Sequence, residues 1–155
     1  ISVTQIHAGD AYNVIPDTVT LSGGVRYFDH ELGQVIRQRM EEVLEGICKS
    51  YGATYTFNYD ELYPVLTNHK TETAIAVKAA STVVGSDNVD PDLPPSPGSE
   101  DFAFMLLEKP GAYILIGNGD GEGGCMIHHS SYDFNDKILP LGAAYWAQLA
   151  ESVLV

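Results

Sequence analysis

The stretch Cys125-Met126-Ile127-His128-His129-Ser130-Ser131-Tyr132-Asp133-Phe134-Asn135-Asp136 lies between a glycine-rich loop and an apolar helical pattern. Two adjacent imidazoles stand there beside carboxylates and side-chain amides. Neutral imidazole is the commonest metal-ligating side chain, and a nearby carboxylate often orients it. The mix suits a metal ligand presented at the end of a strand, although a solvated or hydrogen-bonded His pair accounts for the same residues. No CxxC or HExxH motif accompanies it, so any further ligands must come from distant sequence.

Just upstream, Gly111-Ala-Tyr-Ile-Leu-Ile-Gly117 is a short apolar run bounded by glycines, which predicts a buried strand. Asn118 to Gly124 is rich in glycine but lacks the Lys and spacing of a phosphate-binding loop. Downstream, Pro140 sits where a first helical turn tolerates it, and Leu141, Tyr145, Trp146, Leu149, Val153 and Leu154 form a core face. Cys125 has no base and orienter arranged around it that would make it a nucleophile.

Further out, Ser99-Glu100-Asp101 can cap a short helix running through Leu107. Residues 85–99 hold four prolines with Gly, Ser and Asp, and a loop of that length is often functional. Glu72 to Val84 reads as a helix. Tyr63 to Asn68 changes character and marks a boundary between 1–66 and 67–155.

The first part opens with a strand at 1–8, a turn through Pro16, and a second strand from Thr18 to Phe28. Gly23-Gly24 suggests a bulge or a close backbone approach. Asp29 is a candidate N-cap. Leu32, Val35, Ile36, Met40, Val43, Leu44, Ile47 and Cys48 then recur at helical spacing until Gly52. Ala53, Tyr55, Phe57 and Tyr59 alternate with polar residues as a third strand. Strand, strand, helix, strand is the latter part of a split βαβ unit.

The chain has 155 residues, 45% of them hydrophobic, with a formal net charge of -13. It is long enough for one domain or two small ones and can pack a core. Its acidity argues against nucleic acid and anionic membrane surfaces. No apolar run approaches the roughly 18 residues of a membrane span. Two cysteines make no disulfide framework, which points to the cytoplasm. The chain starts without Met, in a strand-like pattern and without a basic-then-apolar leader; it reads as a piece of a longer protein.

Asn13 in the first turn and Arg26 on the second strand offer an amide for a carbonyl and a planar fork for a carboxylate. A turn Asn and an ion-paired surface Arg would look the same. His7 and His30 read as surface residues.

Four stretches, in order, resemble one family. Ile6 to Asp17 is similar to its "GG-x-A-x-N-V-I-P-D" stretch. Leu21 to Phe28, ending Gly-Val-Arg-Tyr-Phe, is similar to its "G-T-V-R-x-F" strand. Gly98-Ser99-Glu100-Asp101-Phe102 is similar to "G-S-E-D-F", and His128 to Asp136 to "H-N-P-x-Y-D-F-N-D". The family is the aminoacylase, hippurate hydrolase and indole-acetyl-amino-acid hydrolase group of metallo-amidohydrolases. Gly24, Pro97 and Ser130 depart from it, where Thr, Met and Pro are usual.

The resemblance implies an α/β arrangement: a two-layer α+β lid, which dimerises, and a catalytic α/β domain holding two divalent ions (zinc, manganese or nickel). Residues 1–66 would be the latter part of the lid and 67–155 the C-terminal part of the catalytic domain. His128 matches the last metal ligand, four residues before Tyr132, and His129 the neighbouring non-ligand place. Asn13 and Arg26 match a substrate-gripping lid pair, and Glu100 lies near the site with its role open. The general base and the remaining ligands are not in these residues. The implied chemistry is metal-assisted hydrolysis of N-acyl amino acids or small peptides, by a homodimer of which this chain alone is inactive. Two other readings compete: a stand-alone dimerisation or binding module, and an unrelated ligand-binding α/β domain.

Overall fold

The computed structural model describes residues 1–119 and 124–154. The centre of the glycine-rich loop, residues 120–123, lies outside the described residues. The chain divides into two compact units, Ile1–Val65 with Pro95–Ser99, and Leu66–Pro94 with Glu100–Val155.

In the first unit β1 (Ser2–Ala8) pairs antiparallel with β2 (Val19–Gly24). The register slips between Val3 and Gln5, so the ladder carries a bulge. Gly23 faces it: a Cβ there would sit 2.1 Å from the Ser2 carbonyl oxygen. The expected close approach is therefore real, and β2 ends at Gly24, short of Phe28.

Helix α1 (His30–Tyr51) follows the predicted periodicity. Asp29 caps it by accepting the Glu31 amide at 2.8 Å. Gly52 closes it in the left-handed region, its amide returning to the last turn. The Tyr27 ring lies over Gly33, the one buried residue of the helix.

The third strand expected at Ala53–Tyr59 does not form. A strand needs a neighbour for its backbone, and no described segment pairs with this one. Without a paired neighbour, this segment meets α1 through side chains. The Phe57 and Tyr59 rings meet at 5.9 Å, Arg37 lies over Tyr59, and Gln34 donates to Glu61 at 3.0 Å. Of the alternating residues, Phe57 and Tyr59 are half-buried and Ala53 and Tyr55 are exposed.

In the second unit α2 (Lys70–Val84) packs on α4 (Leu139–Val153), with α3 (Phe102–Glu108) between them in sequence. Ala76, Ala79, Ala103, Leu106 and Tyr145 are buried. The Gly111–Gly117 run forms no paired strand and is not buried: Leu115 is 68% exposed. Side chains and one long-range backbone hydrogen bond hold it instead. Asn68 brackets Tyr113, accepting its amide at 2.8 Å and donating to its carbonyl at 2.9 Å. The His69 amide reaches the Gly111 carbonyl at 3.0 Å.

Taken together the chain is α+β, with one two-stranded sheet and four α-helices among the described residues. No described helix is long and apolar enough to cross a membrane, and neither cysteine forms a disulfide.

Candidate functional site

In the first unit Asn13 lies in the loop joining β1 to β2, inside a turn closed by the Val14 amide on the Ala11 carbonyl. Arg26 lies two residues past β2, at the other end of the ladder. No hydrogen bond brings the two together among the described residues. Arg26 instead reaches the loop at 95–99. Its Nη1 donates to the Pro97 carbonyl and faces the Ser99 hydroxyl at 3.4 Å. Nε and Nη2, the side-on pair that grips a carboxylate bidentately, have no partner among the described residues. Arg26 thus bonds neutral groups, and no ion pair holds it among the described residues. Asn13 is exposed with its amide uncommitted.

In the second unit Glu100 and Tyr113 meet. The Tyr113 hydroxyl donates to Glu100 Oε2 at 2.8 Å, and the Phe102 amide approaches Oε1 at 3.4 Å. The Tyr113 hydrogen bond, followed by those from Asp101 and Phe102, pulls the Glu100 carboxyl below the usual glutamate range. The same bond, then desolvation, pushes the Tyr113 hydroxyl up. Glu100 is thus an oriented carboxylate that also approaches the first amide of α3. The helix's own N-cap residue, Asp101, makes no side-chain cap. Nothing in the spacing of the sequence announced Tyr113 as its partner.

His128 has the one positive φ among the described non-glycine residues, 70°. His tolerates the left-handed region better than most residues, yet such a conformation persists only where its surroundings enforce it. One turn encloses it, the His129 amide returning to the Met126 carbonyl, and a second follows, the Tyr132 amide returning to the His129 carbonyl. The paired imidazoles divide here. His129 Nδ1 accepts the Ser131 amide at 3.1 Å, so this ring is spent on its own loop. The His128 ring makes no hydrogen bond to any described residue and stands exposed. A nitrogen lone pair open to solvent is what a ligand requires.

One imidazole is still one ligand. Among the described residues no three of His, Cys, Asp and Glu gather as a metal site. A hydrolytic metal takes about three protein ligands and an open position, so His128 fits as a contributor to such a centre and the described residues make no complete one.

The profile of peptidase family M20/M25/M40 matches residues 3–152. The chain belongs to this family. Its relatives include the N-acetylcysteine deacetylase of Bacillus subtilis, 35% identical over 99% of this chain and 39% of that protein. The hippurate hydrolase of Campylobacter jejuni is 32% identical over 97% of this chain and 38% of that protein. The crystal structure of Bacillus subtilis YXEP, described as a dinuclear metal-binding peptidase of the M20 family, superposes with a TM-score of 0.84 at 34% identity. That likeness covers 99% of this chain and 41% of YXEP. The chain thus spans about two fifths of the length of the M20 relatives it matches. The family assignment made from four short motifs holds across the chain, and so does the fold class.

Proposed function

We propose that this chain is part of a metal-dependent M20 amidohydrolase that cleaves N-acyl amino acids or small peptides. The strongest support is its likeness to a dinuclear metal-binding peptidase, at a TM-score of 0.84 over 99% of its length. The names of its relatives, a deacetylase and a hippurate hydrolase, point to small acyl-amino-acid substrates. On this reading residues 67–155 complete a catalytic domain and residues 1–66 belong to a lid.

Each candidate residue then has a task. His128 supplies one ligand to a divalent metal pair (zinc, manganese or nickel), the other ligands and a Glu general base lying in sequence outside these residues. When bound, the metal polarises the scissile carbonyl and lowers the pKa of water. Arg26 takes the carboxylate of the substrate through its open side-on pair, and Asn13 offers its amide to a carbonyl oxygen. The end-to-end separation of these two on the hairpin favours their acting at different points on the substrate or in different subunits. A homodimer through residues 1–66 suits the apolar side chains that β1 and α1 expose, Ile6 and Ile47 among them. The cytoplasm suits the disulfide-free cysteines.

The test is hydrolysis of hippurate and N-acetyl amino acids with added zinc, manganese or nickel. The full-length enzyme is expected to turn over and the 155-residue chain alone to be inactive. Turnover by the chain alone would sink the division of ligands. A soluble dimer with no metal affinity and no need for other sequence would instead favour a stand-alone binding module.

A further inference from the structure

Asn118 and Asn135 bracket the stretch that carries His128, and their side chains interlock. Asn118 Nδ2 donates to the Asp133 carbonyl at 2.9 Å, while its Oδ1 accepts the Asn135 amide at 2.8 Å. Asn135 Nδ2 answers by donating to the Asn118 carbonyl at 2.9 Å. Asn135 Oδ1 accepts the Lys137 amide at 3.1 Å, and its carbonyl accepts the Ile138 amide at 3.0 Å. Every polar group of Asn135, main chain and side chain, is therefore committed. Through the single 3₁₀ turn Asp136–Ile138 the pair is tied to α4, whose Tyr145 is buried in the core.

We infer that this asparagine clamp is a positioning device for His128, a role that rests on the reading of His128 as a ligand. A left-handed histidine does not hold itself, and the local turns at 126–132 fix its shape without fixing where the stretch sits. The clamp joins the stretch at Asp133 and Asn135 to the end of the Gly111–Gly117 segment and to α4. Both asparagines act through the backbone; neither touches His128. The chemistry demands the amide: each side chain donates with nitrogen and accepts with oxygen at once, which a carboxylate cannot do.

The test uses the full-length enzyme, titrated with zinc against a competing chelator, with thermal unfolding of the metal-free protein alongside. Asn118→Asp and Asn135→Asp remove one donor each, and are expected to weaken zinc binding about 10- to 100-fold, as loss of supporting groups around a ligand does elsewhere. Ala79→Gly, in the buried face of α2, is expected to lower the unfolding midpoint and leave zinc affinity unchanged. Zinc affinity preserved in both clamp variants overturns the inference, and so does an equal loss in Ala79→Gly, which would mark a general stability effect. Asn118→Asp keeps the acceptor for the Asn135 amide and carries the test alone should Asn135→Asp fail to fold. His128→Ala in the same titration separates the two claims. If it weakens zinc binding and the clamp variants do not, the clamp fails alone; if it has no effect, the ligand reading fails and takes the clamp with it.

Discussion

The two units of this chain earn their order differently. The first holds the strand pair and the longest helix, with a well-made cap at each end of α1. Yet Gly33 is the only buried residue of that helix, and Val35 on its apolar face is 54% exposed. The second has shorter elements, no strand pair among the described residues, and all five buried apolar residues. Periodicity reports which face of an element is apolar; it says nothing about what covers that face. A well-patterned element and a buried one are separate facts.

The contrast is easiest to break in the cores. Tyr145→Ala removes a 6% exposed ring from the packing of the second unit. It is expected to cost about 3–5 kcal/mol. Val35→Ala, on the exposed face of α1, is expected to stay within about 0.5 kcal/mol. Denaturant unfolding of the full-length enzyme reads both. Similar costs would mean that the α1 face is covered in the assembled protein, which would sharpen the case for a dimer through residues 1–66.

The next largest effect tests what the first unit does in place of packing. Arg26→Ala is expected to weaken binding of carboxylate-bearing substrates by about 1.5–3 kcal/mol, the worth of a charged hydrogen bond. An amidated substrate of the same shape should lose little. Equal losses for both substrates would reduce Arg26 to a support for the loop at Pro97.

The smallest effect lies in the second unit, at Glu100 and Tyr113. Glu100 titrates below its ordinary range in the folded state, so its contribution is present above the unfolded value and fades as pH falls through the folded one. Tyr113 is shifted upward; its contribution holds below the ordinary phenol value and is lost as pH rises through the folded one. The bond therefore spans neutral pH and is lost in acid below the ordinary glutamate range and in alkali above the ordinary phenol range. Tyr113→Phe should return the Glu100 titration toward its ordinary value by NMR. An unchanged titration would remove Tyr113 as the cause.

The helices were legible because their signals are local. The run from Leu32 to Cys48, the Asp29 cap and the Gly52 stop each sit within a few residues of what they act on. The strands at Ala53–Tyr59 and Gly111–Gly117 were misread because a ladder depends on a neighbour that no local pattern names. Asn68, which brackets Tyr113 in place of a strand, carries no such signal. The site divides the same way. His128 stands out by composition and motif, and its preference over His129 as a ligand rests on the motif; the structure adds that the Ser131 amide donates to His129 Nδ1. Tyr113 and Asn118 act across 13 and 17 residues, and the sequence offers no spacing rule for either.

The central claim is that His128 completes a metal centre shared with sequence outside these residues. The direct measurement is the metal content of the full-length enzyme and of His128→Ala after dialysis against a chelator. The account predicts that the wild type retains bound metal and that His128→Ala loses at least one ion per subunit while remaining folded. A folded His128→Ala protein with the full wild-type metal content would contradict it.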